Sequence, residues 1–321
     1  MHRDTNRKRS HRIRTMSVSR RIRIGTRESA LALYQAREVQ RKLKEQGIET
    51  EIIEITSDGD VDLVTPLYEM GIQGIFTKSL DIALLQNRID IAVHSTKDVP
   101  TKLAQGLILG AMLERATPFD CLVLPVGKGN AQFSNNCIIA TSSLRRKSQW
   151  LHRYPHHTTE NLRGNIQTRL KKLDASPWEG AIFAQAALER LEVSTHQKIT
   201  LDWMLPSPAQ GAIGIVCRQE DAHALEICKS INHEATNTCV SIERNFLAAL
   251  HGGCAVPIAA YAQIKKDRIF FQGNVFSLDA RQKIEVEIYF DKDQAQQAGE
   301  LAAQKLLSKG ADSIIKTFRS V

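Results

Sequence analysis

The chain has 321 residues, 42% hydrophobic and 24% charged, which excludes widespread disorder, collagen and a small disulfide scaffold and leaves room for two or three domains. No apolar run approaches the ~18 residues a membrane helix needs, and the six cysteines lack the CxxC pairs or regular spacing of a zinc ribbon or disulfide framework, as fits a reduced cytosolic compartment. A net charge of +8 raises a nucleic-acid partner, but residues 1–20 hold seven Lys/Arg against Asp4 alone, so the rest of the chain is close to neutral, which disfavours one.

In chain order, residues 1–20 are Arg-rich and acid-poor, without the apolar core of a secretory signal. They read as a disordered extension, with Met16 as an alternative start. From Arg21 short apolar runs alternate with helical periods. Arg21–Thr26 reads as a strand, Ser29 to about Gln46 as a helix stopped by Gly47, and Glu51–Thr56 as a strand. Ser57–Gly74 is a polar loop, Phe76–Asn87 a helix and Asp90–Ser95 a buried strand. This β-α-β-α-β order predicts a parallel sheet with right-handed crossovers. Strands at Leu107–Leu113 and Cys121–Leu124 lead into a second α/β set. That set comprises a strand at Cys137–Thr141, helices at Ser143–Tyr154 and Asn165–Leu173, and a strand at Ala181–Ala184. Pro206–Gly214 reads as a loop, and Ile213–Cys217 as a strand able to return to the first sheet. A helix from about Thr236 to Leu250 precedes Gly252-Gly253-Cys254. Strands at Val256–Gln263, Arg268–Val275 and Ile284–Phe290, then a helix at Gln294–Leu307, predict a small α+β domain with a mainly antiparallel sheet.

In open parallel sheets ligands bind beyond the carboxyl ends of the strands. Gly25-Thr26-Arg27-Glu28-Ser29 ends the first strand, and Thr141-Ser142-Ser143-Leu144-Arg145-Arg146 ends a strand of the second set. Each places a hydroxyl that can cap the next helix beside arginine, the side chain best shaped for carboxylate or phosphate. Arg163-Gly164-Asn165 opens another helix with Arg169 one turn inside, and Arg190 ends a further segment. Singly, each arginine is equally readable as a solvated surface charge. Pro100 pushes Val99 out of the α region, so Lys97 and Asp98 are expected in an extended loop at the same edge. There Asp98 either stabilises a developing cation and handles protons, or merely pairs with Lys97 or a nearby arginine. Cys254 is either an exposed nucleophile after two glycines or a small buried hydrophobe, the default for the other five cysteines. His152, His156 and His157 lack a cysteine or carboxylate at ligand spacing and read as a polar turn rather than a metal site. No phosphate-binding glycine motif follows a strand.

Taken together, these segments resemble the hydroxymethylbilane synthase (porphobilinogen deaminase) family. The resemblance is carried by Gly25–Leu33, His94-Ser95-Thr96-Lys97-Asp98-Val99-Pro100, Thr141–Arg146, Leu162-Arg163-Gly164-Asn165 with Thr168-Arg169, Gln210-Gly211-Ala212 and Gly252-Gly253-Cys254-Ala255-Val256-Pro257. It runs from about Arg21 to the C-terminus. It implies an α/β fold: two domains similar to those of periplasmic binding proteins (21–113 with 212–231, and 117–208) and a small α+β domain (234–321). It implies a monomeric, cytoplasmic transferase that joins four porphobilinogen units with loss of ammonia in haem biosynthesis, with no metal, nucleic acid or membrane partner. A dipyrromethane cofactor is implied as a thioether on Cys254, with Lys97, Ser143, Arg145, Arg146 and Arg169 around it. Arg27, Ser29, Arg163, Arg190 and Gln210 are implied substrate-binding residues. Asp98 matches the catalytic aspartate, which stabilises the cationic pyrrole and azafulvene stages. The chain departs from common family residues at His251, Asp58, Ile72, Gln73, Ser79, Ala187 and Ala209. A solute-binding module predicts a secretion signal and no need for Cys254, so it ranks below the enzyme, as does an inactive homologue suggested by the loop substitutions.

Overall fold

The computed structural model describes residues 21–56, 77–129, 136–250 and 256–318. The basic extension 1–20, the loop 57–74, and His251 to Cys254 lie outside the described residues.

The first segment runs β1 (Ile22–Thr26), α1 (Ala30–Glu45), β2 (Thr50–Glu54), α2 (Lys78–Leu85), β3 (Ile91–Ser95) and β4 (Leu107–Met112). The chain then builds β5 (Asp120–Val123), β6 (Ile138–Ala140), α3 (Leu144–Arg153), β7 (Thr158–Glu160), α4 (Ile166–Asp174), β8 (Gly180–Ala184), α5 (Gln185–Arg190) and β9 (Lys198–Leu201). It returns through β10 (Ile213–Arg218) and α6 (Ala222–Ile231). It ends with α7 (Glu234–Ala249), β11 (Ile258–Lys265), β12 (Arg268–Phe276), β13 (Lys283–Asp291), α8 (Ala295–Ser308) and α9 (Ala311–Thr317).

Local chemistry sets the helix limits. Ser29 caps α1 by accepting from the Ala32 N–H at 3.4 Å, and beyond its last turn Gly47 takes φ +73°. Ala36, Val39 and Leu43 recur at helical spacing and are fully buried on the sheet. The first sheet has the order β2-β1-β3-β10-β4. β1 is parallel to β2 and β3, whereas β10 is antiparallel to both β3 and β4. The expected parallel sheet is therefore mixed, because β10 enters it from the opposite direction on its return from the second unit. The second sheet repeats this layout, β7-β6-β8-β5-β9, with β5 as its antiparallel member. In both units helices cover two faces. On the first sheet, Val39, Ile91 and Ile227 pack on one side and Leu80, Ala92 and Val216 on the other. The third unit is an antiparallel β11-β12-β13 sheet under α7 and α8, with Phe246, Phe271 and Leu306 at its core.

Two crossovers join the α/β units, residues 113–119 and 202–212. They touch where Ala116 N–H donates to Gly211 O at 3.2 Å. Gly211 takes φ +87°, and a Cβ there would lie 2.7 Å from Thr117 O, so both conformation and space demand glycine. Ala209, where glycine is common in the resembling family, takes φ +63°. Its methyl is buried beside Met112 and Val240, which offsets the strain. Glu243 of α7, fully buried, accepts from Ala209 N (2.7 Å), Ala262 N (2.8 Å) and Arg115 Nη1 (2.6 Å). Arg115 Nε donates in turn to Gln210 O at 2.8 Å. One carboxylate thus ties both crossovers to the third unit.

Candidate functional site

The carboxyl end of β3 turns at once into a 3-10 turn, Thr96–Asp98. The fully buried Thr96 donates to Ala212 O through both N–H and Oγ1, each at 3.1 Å. Val99 N–H closes the turn on Thr96 O at 3.1 Å. Val99 itself is extended (φ −82°, ψ 124°), as Pro100 requires. The expected extended loop at Lys97 and Asp98 is thereby corrected: the Thr96 anchor curls the chain before proline straightens it. Asp98 is exposed and forms no ion pair or hydrogen bond among the described residues. Lys97 is part-buried, and its ammonium falls to about 8, first through burial and then through Arg146 and Arg145, against the opposing pull of Asp98 and Asp120.

The arginines come from the second unit. Ser143 caps α3, its Oγ accepting from Arg146 N–H at 3.5 Å. This seats Arg145 and Arg146 in the first turn with only 6% and 7% of their surface exposed. Both bind the fully buried Asp120 at the start of β5: Arg145 Nη2 at 2.7 Å on Oδ2, Arg146 Nη2 at 2.8 Å and Nε at 3.0 Å on Oδ1. Arg145 Nη1 also donates to Leu205 O and Arg146 Nη1 to Ile182 O. Burial alone would push the Asp120 carboxyl up, but the two guanidiniums outweigh it and hold it at about 2. Arg145 in turn has its pKa lowered by burial. Asn165 caps α4 through Thr168 N–H at 2.9 Å, and Arg169 Nε donates to Gly164 O at 2.7 Å. Burial, then Arg146, bring Arg169 to about 10, with Asp98 opposing and Arg163 reinforcing the fall. Arg163 is 8% exposed. Lys97, Asp98, Asp120, Arg145, Arg146, Arg163 and Arg169 thus form one electrostatic cluster, in which cations exceed carboxylates.

The other predicted residues sit differently. Arg27 and Ser29 open α1, where the Ser29 hydroxyl caps the helix and Arg27 acts on the buried imidazole of His94. Arg190 donates to Gly211 O at 2.7 Å and faces Tyr34, Glu189 and Glu38 rather than the cluster. Gln210 is 1% exposed, and its amide donates to Pro118 O (2.7 Å) and Asp120 Oδ1 (2.9 Å), so it braces the crossover against the arginine pair. Cys254 lies outside the described residues. The polar turn expected at His152–His157 is partly a core: His157 is 7% exposed, stacks on Tyr154 and accepts from Trp150 Nε1 at 3.2 Å. Among the described residues no group of three or more His, Cys, Asp or Glu could hold a metal ion. Asp120 escaped the sequence reading. The available signal was an acid opening an otherwise apolar strand, a placement that needs a cationic partner.

The cluster draws its residues from two α/β units of like sheet order and carries surplus positive charge, the electrostatics of a site for small polycarboxylates. Within it Asp98 is the exposed carboxylate without an ion pair or hydrogen bond among the described residues. Family models match on both parts of the chain: porphobilinogen deaminase, dipyrromethane cofactor binding domain, over residues 22–226, and porphobilinogen deaminase, C-terminal domain, over 237–308. The chain belongs to the porphobilinogen deaminase family. It is 40% identical to porphobilinogen deaminase of Syntrophotalea carbinolica over 92% of this chain and 95% of that one. With the protein of Legionella pneumophila it shares 40% identity over 93% and 98% of the two chains. With the chloroplastic protein of Oryza sativa it shares 45% over 80% and 75%. A solved probable amino-acid ABC transporter extracellular-binding protein of Bacillus subtilis superposes over 66% of this chain and 90% of that one, at TM-score 0.39 and 11% identity. That likeness is too loose to carry weight, and the fold rests on the sheet orders above.

Proposed function

We propose that this chain is a hydroxymethylbilane synthase, joining four porphobilinogen molecules head to tail with release of four ammonia molecules and using a dipyrromethane primer bound as a thioether to Cys254. The observation that carries this reading is the exposed, unpaired Asp98 beside a cluster of buried cations. The donor set fits the primer's chemistry. Lys97 and Arg169 have their pKa values lowered by burial and then by the neighbouring arginines, a penalty that bound carboxylates relieve. When bound, the dipyrromethane supplies the pyrrole carbon on which the chain grows.

The side chains take the following parts. Arg145 and Arg146, oriented by Asp120, receive carboxylates at the N-terminus of α3, where the free N–H groups add to the attraction. Lys97, Arg163 and Arg169 hold further acetate and propionate groups. Asp98 would stabilise the positive charge that develops as the substrate's amino group leaves its side-chain methylene as ammonia, and would accept the proton lost from the attacked pyrrole carbon when that methylene forms the new carbon–carbon bond. Arg27, Ser29, Arg190 and Gln210 complete the substrate-binding set. Among the described residues no helix is long and apolar enough to cross a membrane; we place the enzyme in the cytoplasm as a monomer.

The test is intact mass under denaturing conditions for wild type, Cys254→Ser and Asp98→Asn, each after exposure to porphobilinogen or preformed hydroxymethylbilane. Wild type is expected to be heavier by two linked pyrrole units, the serine variant to carry its polypeptide mass alone, and Asp98→Asn to turn over about a thousandfold more slowly without unfolding. A wild-type protein that never gains mass overturns the synthase reading, and near-native turnover by Asp98→Asn overturns the role of that residue.

A further inference from the structure

Arg244 of the third unit reaches the turn that bears Asp98. Arg244, on α7, sends Nη1 to Val99 O at 2.9 Å and Nη2 to Pro100 O at 2.7 Å. Among the described residues no carboxylate pairs with it. Burial lowers its pKa to about 10, and no counter-charge opposes the fall. A mostly buried guanidinium without an acid is expensive, and an apolar side chain of similar volume could fill the same space. What arginine alone provides there is a rigid fork that holds two successive carbonyls at once.

Those carbonyls belong to the two residues immediately after Asp98. At the other end of the turn, Thr96 is fastened to Ala212 O by its N–H and hydroxyl. The turn is therefore clamped on both sides, by the second crossover at Thr96 and by α7 at Val99 and Pro100. Asp98 stands between the clamps with no hydrogen bond of its own among the described residues, so the backbone of the turn sets where its carboxylate stands among the cations. We propose that Arg244 is a positioning residue, which sets the place of the Asp98 carboxylate from the third unit. This inference rests on the catalytic reading of Asp98. It makes the rate sensitive to how α7 sits on the first unit, although Arg244 itself touches no substrate.

The experiment is a double-mutant cycle on primed enzyme: Asp98→Asn, Arg244→Ala and both together. Addition of the first porphobilinogen is followed over hours by intact mass. A displaced catalytic group costs up to about a hundredfold, so Arg244→Ala is expected to be slowed by about that factor. Because it acts through Asp98, the double variant is expected to be no slower than Asp98→Asn within about threefold. Effects that multiply, or an Arg244→Ala rate within about twofold of wild type, overturn the inference. A near-native Asp98→Asn removes the reading beneath it, and the inference with it. If Arg244→Ala does not fold, Arg244→Lys takes its place in the cycle; it keeps the charge and stem but reaches one carbonyl, and an intermediate rate is expected. Hydrogen exchange is the readout independent of turnover. In either Arg244 variant the Val99 amide is expected to exchange about tenfold faster while amides of β1 and β2 are unchanged, and unchanged exchange at Val99 overturns the proposal.

Discussion

Asp120 is the acid on which the arginine pair is built. Two arginines and Gln210 converge on a carboxylate with no solvent contact. Asp120→Asn leaves both guanidiniums buried without an acid, a change expected to destabilise the fold by about 3–5 kcal/mol; urea unfolding measures it. The folded-state pKa lies below the ordinary value near ~4, so the stability this group contributes is fully present above that value and is lost as pH falls through about 2. The same pairing leaves the arginine pair with a net single positive charge at neutral pH. Arg145→Leu or Arg146→Leu is expected to slow initiation or elongation, seen as a loss of enzyme–intermediate complexes on native gels or by mass.

At the scale of elements, α7 joins the third unit to the site, because Glu243 and Arg244 are adjacent on it and face the crossovers and the Asp98 turn. Its position is set by α8, whose Gly299 lies against its backbone. A Cβ at Gly299 would fall 2.4 Å from Ile242 O. Gly299→Ala must push the helices apart and is expected to cost about 1–3 kcal/mol, read as a lower urea midpoint at unchanged slope. Long periodic elements such as α1, α7 and α8 were legible because their apolar spacing states both type and buried face. β7, three polar residues, and β9 were not, since they exist as edge strands only by pairing with β6 and β5. Helix α6 did carry a signal, Asp221 accepting from Ala224 N–H at 3.0 Å ahead of an apolar period.

For the whole molecule, acid sensitivity is the accessible test of how the first unit is built. His94 points away from α1 on β3, is 6% exposed, and has its imidazole lowered to about 4 by burial and then by Arg27. The unfolded chain binds that proton near ~6.5. Stability from keeping His94 neutral is therefore full above about 6.5 and lost as pH falls through about 4, a change of up to about 3 kcal/mol. His94→Gln is expected to remove that rise of the urea midpoint with pH between about 4 and 6.5; a pH profile identical to wild type refutes the assignment. Half-buried Asp81, raised to about 6 by burial, acts in the opposite direction, so the histidine variant should expose a fall in stability with rising pH through about 6.

By itself the sequence determined the α/β character, the small antiparallel third unit, the helices that open near Ser29, Ser143 and Asn165, and the family. These follow from local periodicity and from contiguous motifs, which do not depend on what lies opposite in space. The tertiary structure alone decided that both large sheets are mixed, that Lys97 and Asp98 sit in a clamped turn, and that Arg145 and Arg146 share Asp120. It also decided that Arg244 holds the chain beyond Asp98. Each of these depends on groups more than twenty residues apart meeting in a buried place, where an unpaired charge is costly and only the folded chain supplies the partner.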